Sequence, residues 1–462
     1  MLRYNDPFTQ VIFLGFVVFC LPGMHNAISG MGAYGIDAAK DANVVNNANT
    51  ALGSIFAVSS LVAGGLFNLF GHRWLLFFGG LSYTLYISSY FAWGFIHSIP
   101  FIVVAAVVLG LGAGCLWCAQ GAIMMGYPSE GDKGKYFGVF WAIFNTGAVL
   151  GGFIPMGIQW NDPDAKTISN PVFIVFLSIT VVGAFLSLLL LPPSKVVRAD
   201  GTPVTKVKFS SPGAEARAIL SLFKDWRMLA LFPMFFTSNW FYSYQLNLNG
   251  LNQPHSVRTR SFDSASYWGA QVIASLLYAR LLDNPNWTRR TRARYGFYVL
   301  TAFLIIVYGG GVAFQSTIGI QPGGVKDFKD YDMVNTSGEW IKFWLLFFSY
   351  GASDALFQGY AYWIMGALSN DIHVVARYVG FYKFAQNIGG VLNGQVSNSP
   401  IGNNATHPEN AVGKGMGEIV VCIALVALSL ICAAPVVFKA IQDTTEETVE
   451  EEKQEYAVEE KA

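Results

Sequence analysis

The chain has 462 residues, of which 53% are hydrophobic and only 13% are charged. Soluble domains carry roughly a quarter charged residues, so this composition excludes an ordinary water-soluble protein. Lysine plus arginine and aspartate plus glutamate both number 29, so the net charge is zero and gives no reason to expect a nucleic-acid partner.

Apolar runs of about 20 residues, long enough to span a lipid bilayer, recur along the whole chain. In the first part they predict six transmembrane helices, at about 10–34, 44–70, 74–96, 100–126, 136–157 and 172–191. The first run is interrupted by Pro22-Gly23. It is too long for a secretory signal and leads into further spans, so we expect it to be retained.

A polar segment at 192–227 separates these helices from a second set. Its lysines and arginines predict a basic cytoplasmic linker, and residues 215–224 have the pattern of a short amphipathic helix along the membrane. Six further runs follow, at about 228–248, 262–282, 295–315, 340–368, 378–396 and 418–441. The acidic tail, 442–462, is rich in glutamate and predicted to be disordered.

Two segments of the chain repeat each other. Basic–Tyr–x–Gly occurs at 135–138 and again at 377–380, and in both copies an asparagine and a glycine follow at the same spacing. Such similarity predicts two membrane-embedded halves related as parallel repeats. The sequence therefore predicts an all-α fold of twelve transmembrane helices, with an N-terminal half at 1–191 and a C-terminal half at 228–441. We expect the repeated residues to pack one helix against another; they are Asn145, Gly147, Asn387 and Gly389.

The distribution of lysine and arginine predicts the orientation. The linker and the loops on its side of the membrane carry most of these residues, so we expect both termini to be cytoplasmic. The sequons Asn335-Thr336-Ser337 and Asn404-Ala405-Thr406 fall in predicted outer loops, whereas Asn286-Trp287-Thr288 falls in an inner one. We therefore expect glycans at Asn335 and Asn404 and none at Asn286.

The loop after the second helix carries Gly64-x-x-x-Asn68-Leu69-x-Gly71-His72-Arg73. This resembles the signature of the major facilitator superfamily, with Asn68 in place of its acidic residue and Leu69 in place of its first basic residue. In that family an acid at the position of Asn68 forms a charge lock that helps to gate the transporter, so the resemblance implies an altered lock here. The second-half counterpart, Arg280-Leu281-Leu282-Asp283, keeps its acid. We expect Asn68, Arg73 and Asp283 to act in gating or packing.

More specific strings extend the resemblance over nearly the whole chain. They include Cys20-Leu21-Pro22-Gly23-Met24-His25-Asn26-Ala27, Trp117-Cys118-Ala119-Gln120-Gly121 and Phe235-Phe236-Thr237-Ser238-Asn239-Trp240. Together they are similar to the fungal members of the "uncoordinated ninety-three"-like branch of this superfamily. The resemblance implies a transporter of a small solute. Animal relatives are associated instead with channel regulation and with escorting immune receptors, so a non-transporting membrane partner is the alternative function.

Asp354 and Lys383 are the strongest candidates for function, because a charge inside a membrane span is costly. Asp354 lies near the middle of the tenth predicted helix. Lys383 lies less than two helical turns from the start of the eleventh. We expect them to form an intramembrane pair that responds to a substrate or a proton. The alternatives are a static pair, or a lysine that extends to the cytoplasmic surface. At the matching positions the first half has Leu116 and Trp141.

Uncharged polar side chains on the helices that line the cavity in this superfamily form a second group. Each needs a hydrogen-bond partner inside a bilayer, either in a solvated cavity or on a neighbouring helix. These candidates are Asn26, Gln120, Asn239, Tyr242, Gln245, Gln271, Gln358 and Gln386. The histidines have no metal-ligand spacing, Cys115-x-x-Cys118 has no second ligand pair, and no nucleophile–base pattern is visible, so we expect no metal, cofactor or enzymatic activity. The expected partners are the lipid bilayer and an unidentified small molecule.

Overall fold

The computed structural model describes residues 3–30, 38–129, 131–158, 170–197, 204, 211–250, 257–317, 332–398 and 414–443. Asn404, residues 198–203 and 205–210 of the linker, and the acidic tail beyond Asp443 lie outside these residues. The expectations for them stay predictions, as do the sequence boundaries given to the two halves.

The described residues form fifteen α-helices. The first half contains α1 (Pro7–Val18), α2 (Met24–Gly30), α3 (Ala38–Phe70), α4 (His72–Ile96), α5 (Ile99–Gly126), α6 (Lys133–Ile158) and α7 (Asn170–Leu186). The linker contains α8 (Pro212–Leu222). The second half contains α9 (Trp226–Thr237), α10 (Phe241–Gly250), α11 (Val257–Leu282), α12 (Arg289–Thr317), α13 (Ser337–Leu368), α14 (Ile372–Asn398) and α15 (Lys414–Pro435).

The first segment of the first half is broken at Phe19–Gly23, a π-helical turn between α1 and α2 that contains Pro22. Proline lacks the backbone N–H that the α-helical ladder needs, so the helix widens where it occurs. The interruption predicted at Pro22-Gly23 is confirmed.

The first segment of the second half is also broken, between α9 and α10. A single helix over 228–248 is predicted from the sequence, and that prediction is wrong. Trp240 N donates to Thr237 O at 2.9 Å, and Ser238 Oγ donates to Phe235 O at 2.7 Å. These local bonds form a turn in place of the helical ladder.

With each broken pair counted once and α8 left to the linker, the described residues contain twelve transmembrane segments, six on either side of the linker. Eight of them are long and apolar enough to cross a membrane on those grounds alone. The other four are the α9–α10 segment, α11, α13 and α14, which carry most of the polar side chains of the site described below. The predicted twelve-helix fold is confirmed.

The repeated segments occupy equivalent places in the two halves. A Cβ atom added at Gly147 on α6 would lie 2.8 Å from Phe19 O, at the break after α1. One added at Gly389 on α14 would clash with Phe236 O, near the break after α9. Only glycine permits so close an approach of two backbones. The repeat therefore positions the fifth segment of each half against the first.

The asparagines of the repeat also match. Asn145 Nδ2 donates to Trp141 O at 2.8 Å, and Asn387 Nδ2 donates to Lys383 O at 2.6 Å. Each side chain thus satisfies a carbonyl one turn earlier on its own helix. These bonds lie within one helix and do not join it to a neighbour, and Asn145 Oδ1 forms no hydrogen bond of 3.5 Å or less to a described residue, so the packing role of both asparagines stays a prediction.

The two halves meet chiefly along the helix pairs α6 with α11 and α3 with α14, and α5 also packs against α14. A Cβ atom added at Gly138 would lie 2.9 Å from Ser275 O, and one added at Gly380 would lie 2.7 Å from Ser60 O. Gly138 and Gly380 are equivalent residues of the repeat. In lipid, small residues that allow backbones to approach are the main means of joining helices.

Asp283, just after α11, joins the halves through the start of α6. Its carboxylate accepts hydrogen bonds from Gly134 N at 2.8 Å and from Lys135 N. A carboxylate in this position satisfies backbone donors that have no partner within their own helix and interacts favourably with the helix dipole. Burial nevertheless raises the pKa of Asp283 to about 6, against the lowering effects of these two donors and of Arg292.

Replacing Gly389 with alanine should force α14 away from α9. We expect the free energy of unfolding to fall by about 1–3 kcal/mol, the usual cost of overpacking. The measurement is the thermal midpoint of the purified protein in detergent. Gly394 on the same helix has no neighbouring atom within 4 Å of the place that an added Cβ would take, so Gly394→Ala is the matched control. Equal midpoints for the two variants would contradict the packing role of Gly389.

Replacing Asp283 with asparagine should change how stability depends on pH. Because its pKa in the folded protein is raised to about 6, the wild-type residue stabilises the fold at low pH and loses that contribution as the pH rises through 6. The thermal midpoint of Asp283→Asn, relative to wild type, should therefore be higher at pH 7 than at pH 5.

Asp225, the N-cap residue of α9, supplies the control for this experiment. Burial acts to raise its pKa, but hydrogen bonds from Arg227 hold that pKa below its usual value. It is ionised throughout the range from pH 5 to pH 7, so the difference between wild type and Asp225→Asn should stay constant. A constant difference for Asp283→Asn as well would show that Asp283 does not titrate in this range.

Candidate functional site

Asp354 lies on α13 and is completely buried. The Tyr242 hydroxyl on α10 donates a hydrogen bond to its Oδ2, and Gln358 Nε2, one turn further along α13, donates to its Oδ1 at 2.7 Å. Gln358 Nε2 also lies 3.1 Å from the Tyr242 hydroxyl. The carboxylate is therefore held by neutral donors, and among the described residues no ion pair of 4.0 Å or less reaches it.

Two glutamines connect Asp354 to Lys383. Gln358 Oε1 accepts a hydrogen bond from Gln386 Nε2 at 3.1 Å, and Gln386 Oε1 accepts one from Lys383 Nζ at 2.7 Å. The direct pair expected from the sequence is thus replaced by a relay through Gln358 and Gln386. Sequence gives the depth of each residue in the membrane but not the direction of its side chain around the helix axis.

Tyr382 and Ser238 complete this relay. The Tyr382 hydroxyl donates to Gln358 Oε1 at 3.1 Å and lies 3.0 Å from Gln386 Nε2. Gln386 Nε2 is also 2.9 Å from Ser238 Oγ, at the break between α9 and α10. The break therefore brings a hydroxyl group to the site. Sequence reasoning missed both residues, although Tyr382 adjoins Lys383 in the chain.

The Lys383 ammonium is enclosed by three aromatic rings. Its Nζ lies 4.6 Å from the ring centroid of Trp117, 4.9 Å from that of Tyr382 and 5.5 Å from that of Tyr362. A cation over an aromatic face is attracted by the ring, the more so in a desolvated place. Lys383 is only 3% exposed, so it does not extend to the surface. Trp117 belongs to α5, so this cage spans the two halves.

The first half contributes amide and aromatic groups to the site. Gln120 Oε1 accepts from the Tyr362 hydroxyl at 3.4 Å, and Gln120 Nε2 donates to Met124 Sδ at 3.2 Å. Trp141 Nε1 donates to Gln271 Oε1 at 2.9 Å. Trp141 is the repeat counterpart of Lys383, so an indole donor stands where the second half has an ammonium.

Gln245 and Gln271 present amide donors next to the relay. Gln245 Oε1 accepts from the Tyr267 hydroxyl at 2.8 Å. The Nε2 atoms of Gln245 and Gln271 are buried and form no hydrogen bond of 3.5 Å or less to a described residue, but the Gln271 amide faces the Asp354 carboxylate and the Gln245 amide faces the Tyr308 hydroxyl. Gln271 therefore belongs to the surroundings of Asp354.

Asn26 and Asn239 are not part of the relay. Asn26 is half-buried on α2, and its backbone oxygen accepts from Ser29 Oγ at 3.2 Å. Asn239 is half-buried in the α9–α10 break, with its Cβ 3.7 Å from the position of a Cβ atom added at Gly390. Neither side chain bonds to the relay, so the structure separates these two candidates from the others.

On the linker side, the ends of the helices from the two halves meet. Lys133 Nζ donates to Met125 O at the end of α5 at 3.2 Å and to Ser369 O at the end of α13 at 3.5 Å. A cation at the C-terminal ends of two helices interacts favourably with both dipoles. Together with Asp283, Lys133 therefore joins the first half to the second on this side of the protein.

Asn68 on α3 contacts both the linker and the second half. Asn68 Nδ2 donates to Glu215 Oε2 on α8 at 3.0 Å, and Asn68 Oδ1 lies 2.8 Å from His373 Nδ1 on α14. Arg73 turns instead towards the first half, where its Nε donates to Leu190 O. The two residues of the loop signature therefore have different partners, and only Asn68 lies between the halves.

A model of the Major Facilitator Superfamily matches residues 11–393 of this chain. UNC93-like protein 1 of Arabidopsis thaliana is 40% identical over 397 residues, which cover 85% of this chain and 84% of the relative. An UNC93-like protein of Schizosaccharomyces pombe is 37% identical over 446 residues, covering 96% of this chain and 85% of the relative. These similarities confirm the branch identified from the sequence strings.

Solved structures share the fold at much lower identity. The fucose:proton symporter FucP of E. coli has a TM-score of 0.61 at 13% identity, covering 94% of this chain and 99% of the symporter. The proton:xylose symporter XylE has a TM-score of 0.58 at 12% identity, covering 94% of this chain and 95% of XylE. The chain therefore belongs to the major facilitator superfamily and, within it, to the UNC93-like proteins.

Proposed function

We propose that this protein transports a small polar solute by alternating access through a cavity between its two halves. The observation that carries the proposal is the polar relay from Tyr242 and Asp354 to Lys383, buried at the level where both halves contribute side chains. Transporters of this superfamily bind their substrate between the halves, near the middle of the membrane.

The relay is too costly to serve only as packing. A buried carboxylate and a buried ammonium each lose hydration, and here no direct ion pair of 4.0 Å or less between them offsets the loss. Packing between helices needs no charge, as the glycine contacts of α6 and α14 demonstrate. A transport role gives the two charges a use, because a solute or a proton can exchange with their present partners.

The chemistry of the site favours a neutral solute rich in hydroxyl or amide groups. Lys383 and Asp354 balance each other in charge, and the remaining groups are amides, hydroxyls and aromatic faces. Proteins of similar fold include symporters of fucose and of xylose and a nucleoside transporter. Their solutes have this chemistry, although the likeness in fold does not transfer a substrate to this chain.

We assign proton coupling to Asp354. Protonation would neutralise the carboxylate, weaken its hold on the Tyr242 and Gln358 donors, and free both groups for a solute. The alternative function is a membrane partner that escorts or regulates other proteins, and the animal relatives and the missing acid at position 68 favour it. The Glu215 carboxylate lies 3.0 Å from Asn68 Nδ2, so an acid is present beside that position, which supports transport over this alternative.

Lys383→Met should reduce uptake by about tenfold or more, because a hydrogen bond to a charged group contributes roughly 1.5–3 kcal/mol. The assay is uptake of a panel of labelled hexoses, polyols and nucleosides into vesicles that contain the purified protein and maintain a proton gradient. Asp354→Asn should abolish the effect of the gradient yet keep exchange of solute across the membrane, since asparagine resembles the protonated carboxyl group.

Lys342→Met is the matched control for this assay. Lys342 is exposed on α13, where it pairs with Glu339 at 3.3 Å, and its replacement should leave uptake unchanged. Uptake by Lys383→Met equal to that of wild type at every pH would remove Lys383 from the mechanism. Absence of uptake of every solute by the wild-type protein would count against a transporter of this class.

We further propose that both termini and the linker face the cytoplasm. Asn335 is exposed in the turn before α13, and Asn286 is exposed in the turn between α11 and α12, at the opposite ends of these helices. If the orientation is correct, Asn335→Gln should remove a glycan that a glycosidase also removes, and Asn286→Gln should not change the electrophoretic mobility. A glycan at Asn286 and none at Asn335 would show that the protein has the opposite orientation.

A further inference from the structure

A carboxylate from the linker occupies the place left by the missing acid at position 68. Glu215 Oε2 accepts a hydrogen bond from Asn68 Nδ2 at 3.0 Å and forms an ion pair with Arg377 Nε at 3.1 Å. Asn68 lies on α3 in the first half and Arg377 lies on α14 in the second. One buried oxygen atom, on a residue only 3% exposed, thus joins both halves and the linker.

The amphipathic pattern of α8 positions this carboxylate. Ser211 Oγ caps the helix by accepting from Ala214 N at 3.3 Å. Glu215, Ile219 and Leu222 form the buried face of the helix, at the spacing of one helical stripe. Glu215 lies in the first turn of α8, on the face that packs against the rest of the protein, so docking of α8 fixes the position of this carboxylate.

α8 contacts the helices of both halves. A Cβ atom added at Gly65 on α3 would lie 3.4 Å from both Glu215 Cβ and Ile219 Cδ1, so the bare backbone of α3 accommodates the linker helix. At the other end, the Phe223 ring that follows α8 lies 5.2 Å from the Phe381 ring of α14, centroid to centroid. The linker helix therefore bridges α3 and α14 in this state.

This bridge cannot persist when the halves separate on the linker side. α3 and α14 move apart if that side opens, so Glu215 must leave either Asn68 or Arg377. If Glu215 leaves Arg377, its buried charge loses the opposite charge, which is strongly unfavourable, and if it leaves Asn68, it loses a hydrogen bond to a charged group. The free energy needed to separate Glu215 from its partner therefore stabilises the state in which the linker side is closed.

We propose that α8 is a detachable latch, in which Glu215 supplies from the linker the carboxylate that the loop after α3 lacks, and pairs with Arg377 to hold the linker side closed. The proposal rests on the alternating-access function in that it requires this side to open. Its test measures opening rather than transport, so either proposal can fail without the other.

Cys118 is a native reporter of this opening. Its thiol is completely buried between α5 and α14, where Sγ lies 3.2 Å from Ala376 O. A parent protein is made in which the other cysteines, Cys20, Cys115, Cys422 and Cys432, are replaced by alanine. The rate at which a maleimide probe modifies Cys118 in the full-length purified protein then reports how often the linker side opens.

Glu215→Gln removes the charge but keeps an oxygen for Asn68. We expect it to increase the rate of Cys118 modification about fivefold or more, the range of a typical coupling between two states. Adding Asn68→Asp should return the rate close to that of the parent, because Asn68 and Arg377 already contact the same oxygen and a carboxylate at 68 is within reach. Glu339→Gln, at an exposed pair on α13, should have no effect.

Three results would overturn the latch. The first is an unchanged modification rate in Glu215→Gln. The second is failure of Asn68→Asp to slow the rate, which would show that a carboxylate facing Arg377 is not what holds the linker side closed. The third applies if a lowered thermal midpoint shows that Glu215→Gln does not fold properly. It is an unchanged modification rate in Arg377→Gln, which removes the same ion pair from the other helix.

Discussion

The close approach of backbones between α6 and α11 and between α3 and α14 is the constraint on which the rest of this structure depends. Lipid is as apolar as a leucine side chain, so the hydrophobic effect does not hold membrane helices together. Glycines at Gly64, Gly138 and Gly380 instead bring helices of the two halves within backbone contact. These glycine contacts are narrow and uncharged. They also enclose the centre of the protein, where polar groups are shielded from lipid.

Within that enclosure the charges are separated rather than paired. Gln358 and Gln386 lie between the Asp354 carboxylate and the Lys383 ammonium, and each amide both donates and accepts. A direct ion pair would hold the two charges in one geometry at a high cost of separation. The amides give the same overall neutrality with bonds that can be exchanged one at a time. The relay is therefore compatible with a state that binds a solute and a state that does not.

The sequence predicted most of the fold and part of the site. Long apolar runs and the repeat at 135–147 and 377–389 predicted the helices and their equivalence, because both depend on local pattern. The continuous seventh helix was wrong, because the local bonds of Ser238 and Trp240 overrode an apolar composition. The contacts of Glu215 with Asn68 and Arg377 were missed because they depend on where a linker helix docks, which no local pattern reveals. The enclosure of Lys383 by Trp117 likewise joins residues distant in the chain.

The aromatic cage of Lys383 has a consequence for how cargo would be carried. Tyr242, Gln358, Tyr382 and Gln386 all belong to the second half, whereas the nearest wall of the first half at Lys383 is the flat face of Trp117. Hydrogen bonds are directional, but attraction between a cation and a ring tolerates sideways displacement. A solute bound as proposed would therefore be held mainly by directional hydrogen bonds from the second half. The first half would contact it through the face of Trp117, and it is joined to the second half at the site by the bonds between Gln120 and Tyr362 and between Trp141 and Gln271. The two copies of the repeat thus contribute unequally to the site.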